Sequence, residues 1–232
     1  MSIAEKLNTI AENEQKVYEA GAKSEFDKFW DGLQNYGNRK NYDKGFQYWG
    51  AEYIKPKYKV VPTGQASYMF ADNPNLKAIL AEDFDLSSVA QATAWNNGVY
   101  GLCNGCSSLE YVEDINIQPN KYFGYMFANC KKLKEIRIVR ANENTSFDGT
   151  FYECRDLEEV WFEGVIADKS RLTLHFSSKL KKECVLDMFE HLKDFSETGE
   201  TAKVGLHPNV ISNLADAEKA IATQKGWTIY SV

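Results

Sequence analysis

An excess of positive charge is the first thing this chain lacks. Its 27 Lys and Arg are outnumbered by 33 Asp and Glu, giving a net charge of -6. A nucleic-acid binder carries a basic footprint, so no nucleic-acid partner is expected. Long apolar runs are missing too. None approaches the roughly 20 residues of a membrane-spanning helix, and Met1 to Leu7 offers no basic-then-apolar signal segment. The expectation is a soluble protein made in the cytosol, with no membrane span. Catalytic motifs are equally scarce. There is no Gly-x-Ser-x-Gly, Walker loop, His-Glu-x-x-His or paired-carboxylate motif, so no enzyme, no catalytic residue and no cofactor are expected. Asp187 and His191 stand four apart, where a solvated helical pair is the ordinary outcome.

What the chain does have is a repeated pattern on a sufficient apolar base, 44% hydrophobic and 13% aromatic. Tyr125 to Ile138 is answered by Gly149 to Phe162. Phe127 aligns with Phe151, Cys130 with Cys154, Leu133 with Leu157, Ile136 with Val160 and Ile138 with Phe162, each 24 residues apart. A period in the twenties is that of a stacked solenoid, whose units bury their apolar edges against neighbours. Ser67 to Ile79 carries the same frame with Asn73 in the cysteine position. Leu102 to Val112 carries it with Cys103 in the phenylalanine position and Cys106 in the cysteine position. The step from Phe70 to Cys103 is 33 residues, so an insertion lies around Asp83 to Gly98.

Within a unit, Leu-x-x-Ile-x-Ile alternates as a short half-buried strand does, and the preceding residues suit one helical turn. The expected architecture is α/β, a solenoid with one parallel sheet, an N-terminal helix and helical C-terminal capping units. In the last third, Arg171 to His175 reads as a strand and Lys182 to Phe195 as an amphipathic helix. Ala202 to Leu206 and Trp227 to Tyr230 read as strands, with Val204 24 residues before Thr228. Between them lies a helix from Leu214 to Lys225, with Asn213 as N-cap and Gly226 as its stop.

At the front, Ile3, Leu7, Ile10 and Val17 mark an apolar seam, followed by Phe26, Phe29, Trp30 and Leu33. Residues 1–34 therefore read as a helical segment, either a homo-oligomerisation element, a helix packing on its own chain or a frayed isolated helix. Residues 35–66 are aromatic and basic, with Tyr36, Tyr42, Phe46, Tyr48, Trp49, Tyr53 and Tyr58 among Arg39, Lys40, Lys44, Lys55 and Lys57. They read as a cap on the first repeat, the alternative being a stacking platform for a sugar or nucleic acid. Residues 67–232 are the repeat domain with its C-terminal cap.

Cys103-x-x-Cys106 invites a zinc or redox reading. Yet Cys106, Cys130 and Cys154 share one phase of the repeat, so buried thiols explain the spacing, and no metal site is expected. The three histidines, His175, His191 and His207, lie outside this run, and five cysteines, an odd number, suggest free thiols. Candidate binding residues are those pointing away from the core between the last two apolar positions of each unit. They are Asn116 (between Ile115 and Ile117), Arg137, Trp161 and Thr173, in one row flanked by Glu135, Glu159 and Glu113. Outward Trp and Arg beside carboxylates match the residues enriched at interface hot spots. The other reading of Trp161 packs it beneath a terminal loop.

With its repeats aligned, the chain resembles the BspA-like class of leucine-rich repeats, whose unit reads roughly x-x-F-x-x-C-x-x-L-x-x-I-x-I. More narrowly it is similar to repeat proteins encoded by phages and prophages of gut-type Gram-positive bacteria. The similarity lies in Met1 to Asn13, in Lys55-Pro-Lys-Tyr58 and in Asp216 to Thr228. The resemblance implies a virion- or tail-associated, non-enzymatic protein that presents a repeat surface to a protein or glycan. It brings no catalytic residues with it. The alternatives are an intracellular bacterial interaction scaffold and a secreted surface adhesin.

Overall fold

A computed structural model describes residues 45–56, 58–94 and 97–231. The N-terminal seam, its expected oligomerisation element and the residues of the aromatic segment up to Lys44, with Lys57, lie outside the described residues.

The described chain is mixed α/β with two parallel sheets. The first has the order β1 (Ala78–Ile79), β2 (Tyr111–Val112), β3 (Glu135–Ala141) and β4 (Glu159–Gly164), each strand beside the next in sequence. The second is β5 (Thr173–Leu174), β6 (Ala202–Leu206) and β7 (Trp227–Tyr230). Helices α1 (Lys182–His191), α2 (Pro208–Ser212) and α3 (Asp216–Thr223) belong to the C-terminal third. No helix of the described residues is long and apolar enough to cross a membrane.

The register follows the repeat. Ile79 pairs with Val112, Val112 with Ile136 and Ile136 with Val160, and all four are buried in one core. Opposite the strands, successive segments are joined by backbone bonds from equivalent positions. Phe46 N–H donates to Met69 O, Phe70 to Leu102 O, Cys103 to Met126 O and Phe127 to Thr150 O, at 2.8, 2.8, 2.8 and 3.0 Å. The rule thus extends back to Phe46, whose ring stacks on Phe70 with centroids 5.8 Å apart. Phe127 and Phe151 stack in the same way at 6.4 Å.

The position shared by cysteines is a hydrogen-bonding corner. Cys106 Sγ donates to Phe70 O (3.0 Å), Cys130 Sγ to Cys103 O (3.1 Å) and Cys154 Sγ to Phe127 O (3.1 Å). Asn73 does the same through Nδ2, to Phe46 O at 2.6 Å and Phe70 O at 2.7 Å. The side chain must be small, as the spacing suggests, and must also carry a donor, because buried carbonyls there have a lone pair left over. All five thiols are free and buried, and burial raises the pKa of each.

Several expectations need correction. The alternation does not run at a constant 24 residues, because β3 bulges between Ile136 and Val139. Phe162 pairs with Val139, which is buried, while Ile138 is only half-buried. An extra residue facing one on the partner strand is the definition of such a bulge. Arg140 pins its far side, gripping Asp114 with two bonds of 2.7 and 2.6 Å and Glu163 at 3.0 Å. Ile115 to Ile117 is not a strand. Asn116 has φ 63, in the left-handed region, and its N–H is held by Asp114 Oδ1 at 3.0 Å in a local turn.

The strand expected at Arg171 shortens to Thr173–Leu174 and opens a separate sheet. At the edge of β4 the chain supplies α1 instead. Lys181 N–H donates to Glu158 O (2.9 Å), and Asp187 Oδ2 accepts from Phe162 N–H (3.0 Å). Asp187 therefore satisfies an edge donor as well as sitting 3.8 Å from His191 Nε2, so the pair is more than a solvated one.

Helix α1 stops at His191, short of Phe195. Asn213 ends α2 rather than starting the last helix, whose N-cap is Ala215 with Glu218 Oε2 accepting the Ala215 N–H at 2.7 Å. In β6 and β7 the pairing is Val204 with Ile229, one residue beyond the expected Thr228. Gly226, at φ 84, does end the helical segment.

Candidate functional site

Residues on either side of the buried Ile79, Val112, Ile136 and Val160 point to the opposite face of the first sheet. One row on that face is Ala78, Tyr111, Glu135 and Glu159, in direct register. A second row, two residues on along each strand, is Leu80, Glu113, Arg137 and Trp161. The two halves of this face differ. Tyr53, Ala78, Leu80 and Tyr111 form a small buried cluster of their own, so the β1–β2 end is covered. Among the described residues the β3–β4 end remains open, and of the expected binding residues it carries Glu135, Arg137, Glu159 and Trp161.

There Arg137 is exposed and its Nη1 lies 3.4 Å from Glu135 Oε1. Glu159 is paired with Lys181 across the edge of the sheet. Glu135 is largely withdrawn from water, and this burial, together with the neighbouring Glu159, raises its carboxyl pKa despite Arg137. Burial, then Glu113 and Glu135, pushes the Tyr111 phenol up to about 12. The half-face is therefore a strip of carboxylates partly balanced by Arg137 and Lys181.

Trp161 stands beside Arg137 because the β3 bulge sets Arg137 and Ile138 together opposite it. Its ring is half-buried and does not belong to either core cluster. Among the described residues its indole N–H has no hydrogen-bond acceptor and its ring no aromatic partner. This arrangement can hold a partner's apolar group on the indole, with a guanidinium and carboxylates around it.

Asn116 and Thr173 do not join these residues. The true counterpart of Arg137 in β2 is Glu113, one past Val112, whose carboxylate instead accepts the Ala81 N–H at 2.7 Å. Asn116 is exposed on the following turn, and Thr173 pairs with Gly205 in the other sheet. Counting from Leu109 rather than from the Ile115-x-Ile117 pair points to Glu113. Lys181 is a further member of the site that periodicity alone does not identify, since it precedes a helix and not a strand.

No family model, no curated protein and no solved structure matches this chain.

Proposed function

We propose that this chain is a non-enzymatic binding protein, a short solenoid of the BspA-like leucine-rich-repeat kind, associated with a phage or prophage particle. In this reading the scaffold positions of each unit hold the stack, and the open half of the sheet face takes a protein partner. The observation that carries the reading is the juxtaposition of Trp161 and Arg137 outside both cores. Aromatic and Arg side chains dominate interface energetics when a partner desolvates them, and the carboxylates alongside add specificity more than affinity. The virion association rests on the resemblance of Met1 to Asn13, Lys55 to Tyr58 and Asp216 to Thr228, together with that surface.

The test is mass spectrometry of density-purified particles induced from cells carrying the gene, with a Trp161→Ala/Arg137→Ala double variant alongside. The reading expects peptides of the chain in the particle fraction, and a shift of the folded double variant to the soluble fraction. A native chain found wholly in the soluble fraction contradicts the particle association and favours an intracellular scaffold.

A further inference from the structure

On the edge opposite the Trp161 face, tyrosine rings lie on glycines of the next unit. An added Cβ at Gly101 would come 2.6 Å from the Tyr68 ring, at Gly124 2.7 Å from the Tyr100 ring, and at Gly149 2.9 Å from the Tyr125 ring. The rings meet each other as well, Tyr68 with Tyr100 at 5.6 Å and Tyr100 with Tyr125 at 5.8 Å between centroids. Glycine at these three positions leaves room for a flat ring, so the tyrosines are held in place before any ligand arrives.

Beyond Tyr125 the row opens into a cleft of about 250 Å³, lined by Tyr100, Tyr122, Tyr125, Ser146, Asp148 and Arg171, with Gly124 at its floor. Two of its charged groups are unspent. Arg171 Nη1 lies 3.3 Å from Ser146 Oγ and has no carboxylate in ion-pair range among the described residues. The Asp148 carboxylate has no hydrogen-bond or ion-pair partner among them either. Elsewhere opposite charges are tied across units, as in Glu110 with Lys134 (2.7 Å) and Asp156 with Lys179 (2.6 Å). Tyr125 has φ 53 and Tyr68, in the same slot two units earlier, φ 54, where the next unit has Gly149 at φ 63, and Tyr125 remains 37% exposed.

We propose that this cleft binds a neutral pyranose unit of a glycan, the sugar stacking on Tyr125 while Asp148 and Arg171 hold its hydroxyls. A pyranose offers an apolar C–H face to a ring and hydroxyls that both donate and accept. A carboxylate and a guanidinium at the rim match both roles. The volume is below the roughly 300–1,000 Å³ of drug-sized pockets, which fits a single ring. Asp148 argues against a phosphate or other dianion. Lys121 Nζ already sits 5.2 Å over the Tyr122 ring, and Tyr125 is the exposed ring that serves as the platform. The site is separate from the Trp161 face and stands or falls without it.

The experiment is saturation-transfer NMR on the full chain with methyl pyranosides of glucose, galactose, mannose, rhamnose and N-acetylglucosamine. At least one is expected to receive saturation. Asp148→Ala and Arg171→Ala are each expected to weaken it about tenfold, the loss of one charge-assisted hydrogen bond. Tyr125→Gly, which relieves the left-handed backbone, is expected to weaken binding while leaving the melting temperature unchanged or higher. No transfer to any of the five sugars overturns the proposal. So does transfer that survives both charge substitutions, or binding of inorganic phosphate or a proline-rich peptide at these residues with no sugar bound.

Discussion

The thiol of Cys130 donates to the carbonyl of Cys103, 3.1 Å away in the preceding unit, and that carbonyl also accepts the Cys106 N–H at 3.1 Å. One weak S–H bond thus ties two units together at a point with no water to take its place. The same tie recurs at Cys106 and Cys154, while Asn73 makes it with an amide and Ser177 donates to Cys154 O at 2.9 Å.

Cys130→Val keeps an apolar side chain but removes the donor, and is expected to cost about 1–3 kcal/mol. Cys130→Ser keeps a donor and is expected to cost less, as measured by urea denaturation of both variants. A serine variant less stable than the valine variant would mean that volume, not the hydrogen bond, sets the residue here.

The same burial governs reactivity. Thiolate is the reacting form, and burial pushes Cys106 up to about 12 and Cys184 up to about 11. A thiol-reactive dye is expected to label none of the five cysteines in the native protein and all five in denaturant. Rapid labelling of Cys103 or Cys106 in the folded state would reopen the redox reading of that pair.

Asp83 gives the stability a pH dependence. Burial outweighs its ion pair with Lys55 (3.0 Å) and raises its carboxyl to about 6 in the folded state. The unfolded carboxyl titrates near 4, so between about pH 4 and pH 6 the folded protein binds more protons than the unfolded one. This contribution is complete at low pH and is lost as pH rises through that window, by an amount on the order of 2–3 kcal/mol. Asp83→Asn is expected to flatten the stability profile between pH 4 and 6. A profile unchanged by the substitution would place the buried titration elsewhere.

The N-terminal segment carries a separate expectation. If residues 1–34 hold copies together, light scattering should give a dimer or trimer for the full chain and a monomer after their deletion. A full-length monomer removes the oligomerisation element.

Much of this fold was readable from spacing, and the misreadings have specific causes. Phe127/Phe151 and Ile136/Val160 align in sequence because each meets its counterpart in space. The β3 bulge was hidden because Ile138 and Val139 are both apolar, so either fits the alternation, and pairing alone selects Val139. Asn116 was misplaced for a related reason. Ile115 and Ile117 are both buried, but a left-handed turn and not a strand buries them. The break between the two sheets depends on Lys181 and Asp187 closing the β4 edge, a long-range contact with no periodic signature. Glu135 and Glu159 align because they lie in direct register within the regular part of the repeat, whereas Arg137 and Trp161 face each other at the bulge. The tyrosine cleft follows from Tyr125 and Gly149 occupying one backbone slot in adjacent units, which an alignment of apolar positions passes over.

The central claim is that Trp161 belongs to a surface and Phe151 to the scaffold, and urea denaturation of the two alanine variants tests it most directly. Phe151→Ala is expected to cost about 3–5 kcal/mol, as loss of a buried ring does, while Trp161→Ala should cost under about 1 kcal/mol. A loss at Trp161 equal to that at Phe151 would make Trp161 a core residue and leave the sheet face without its anchor.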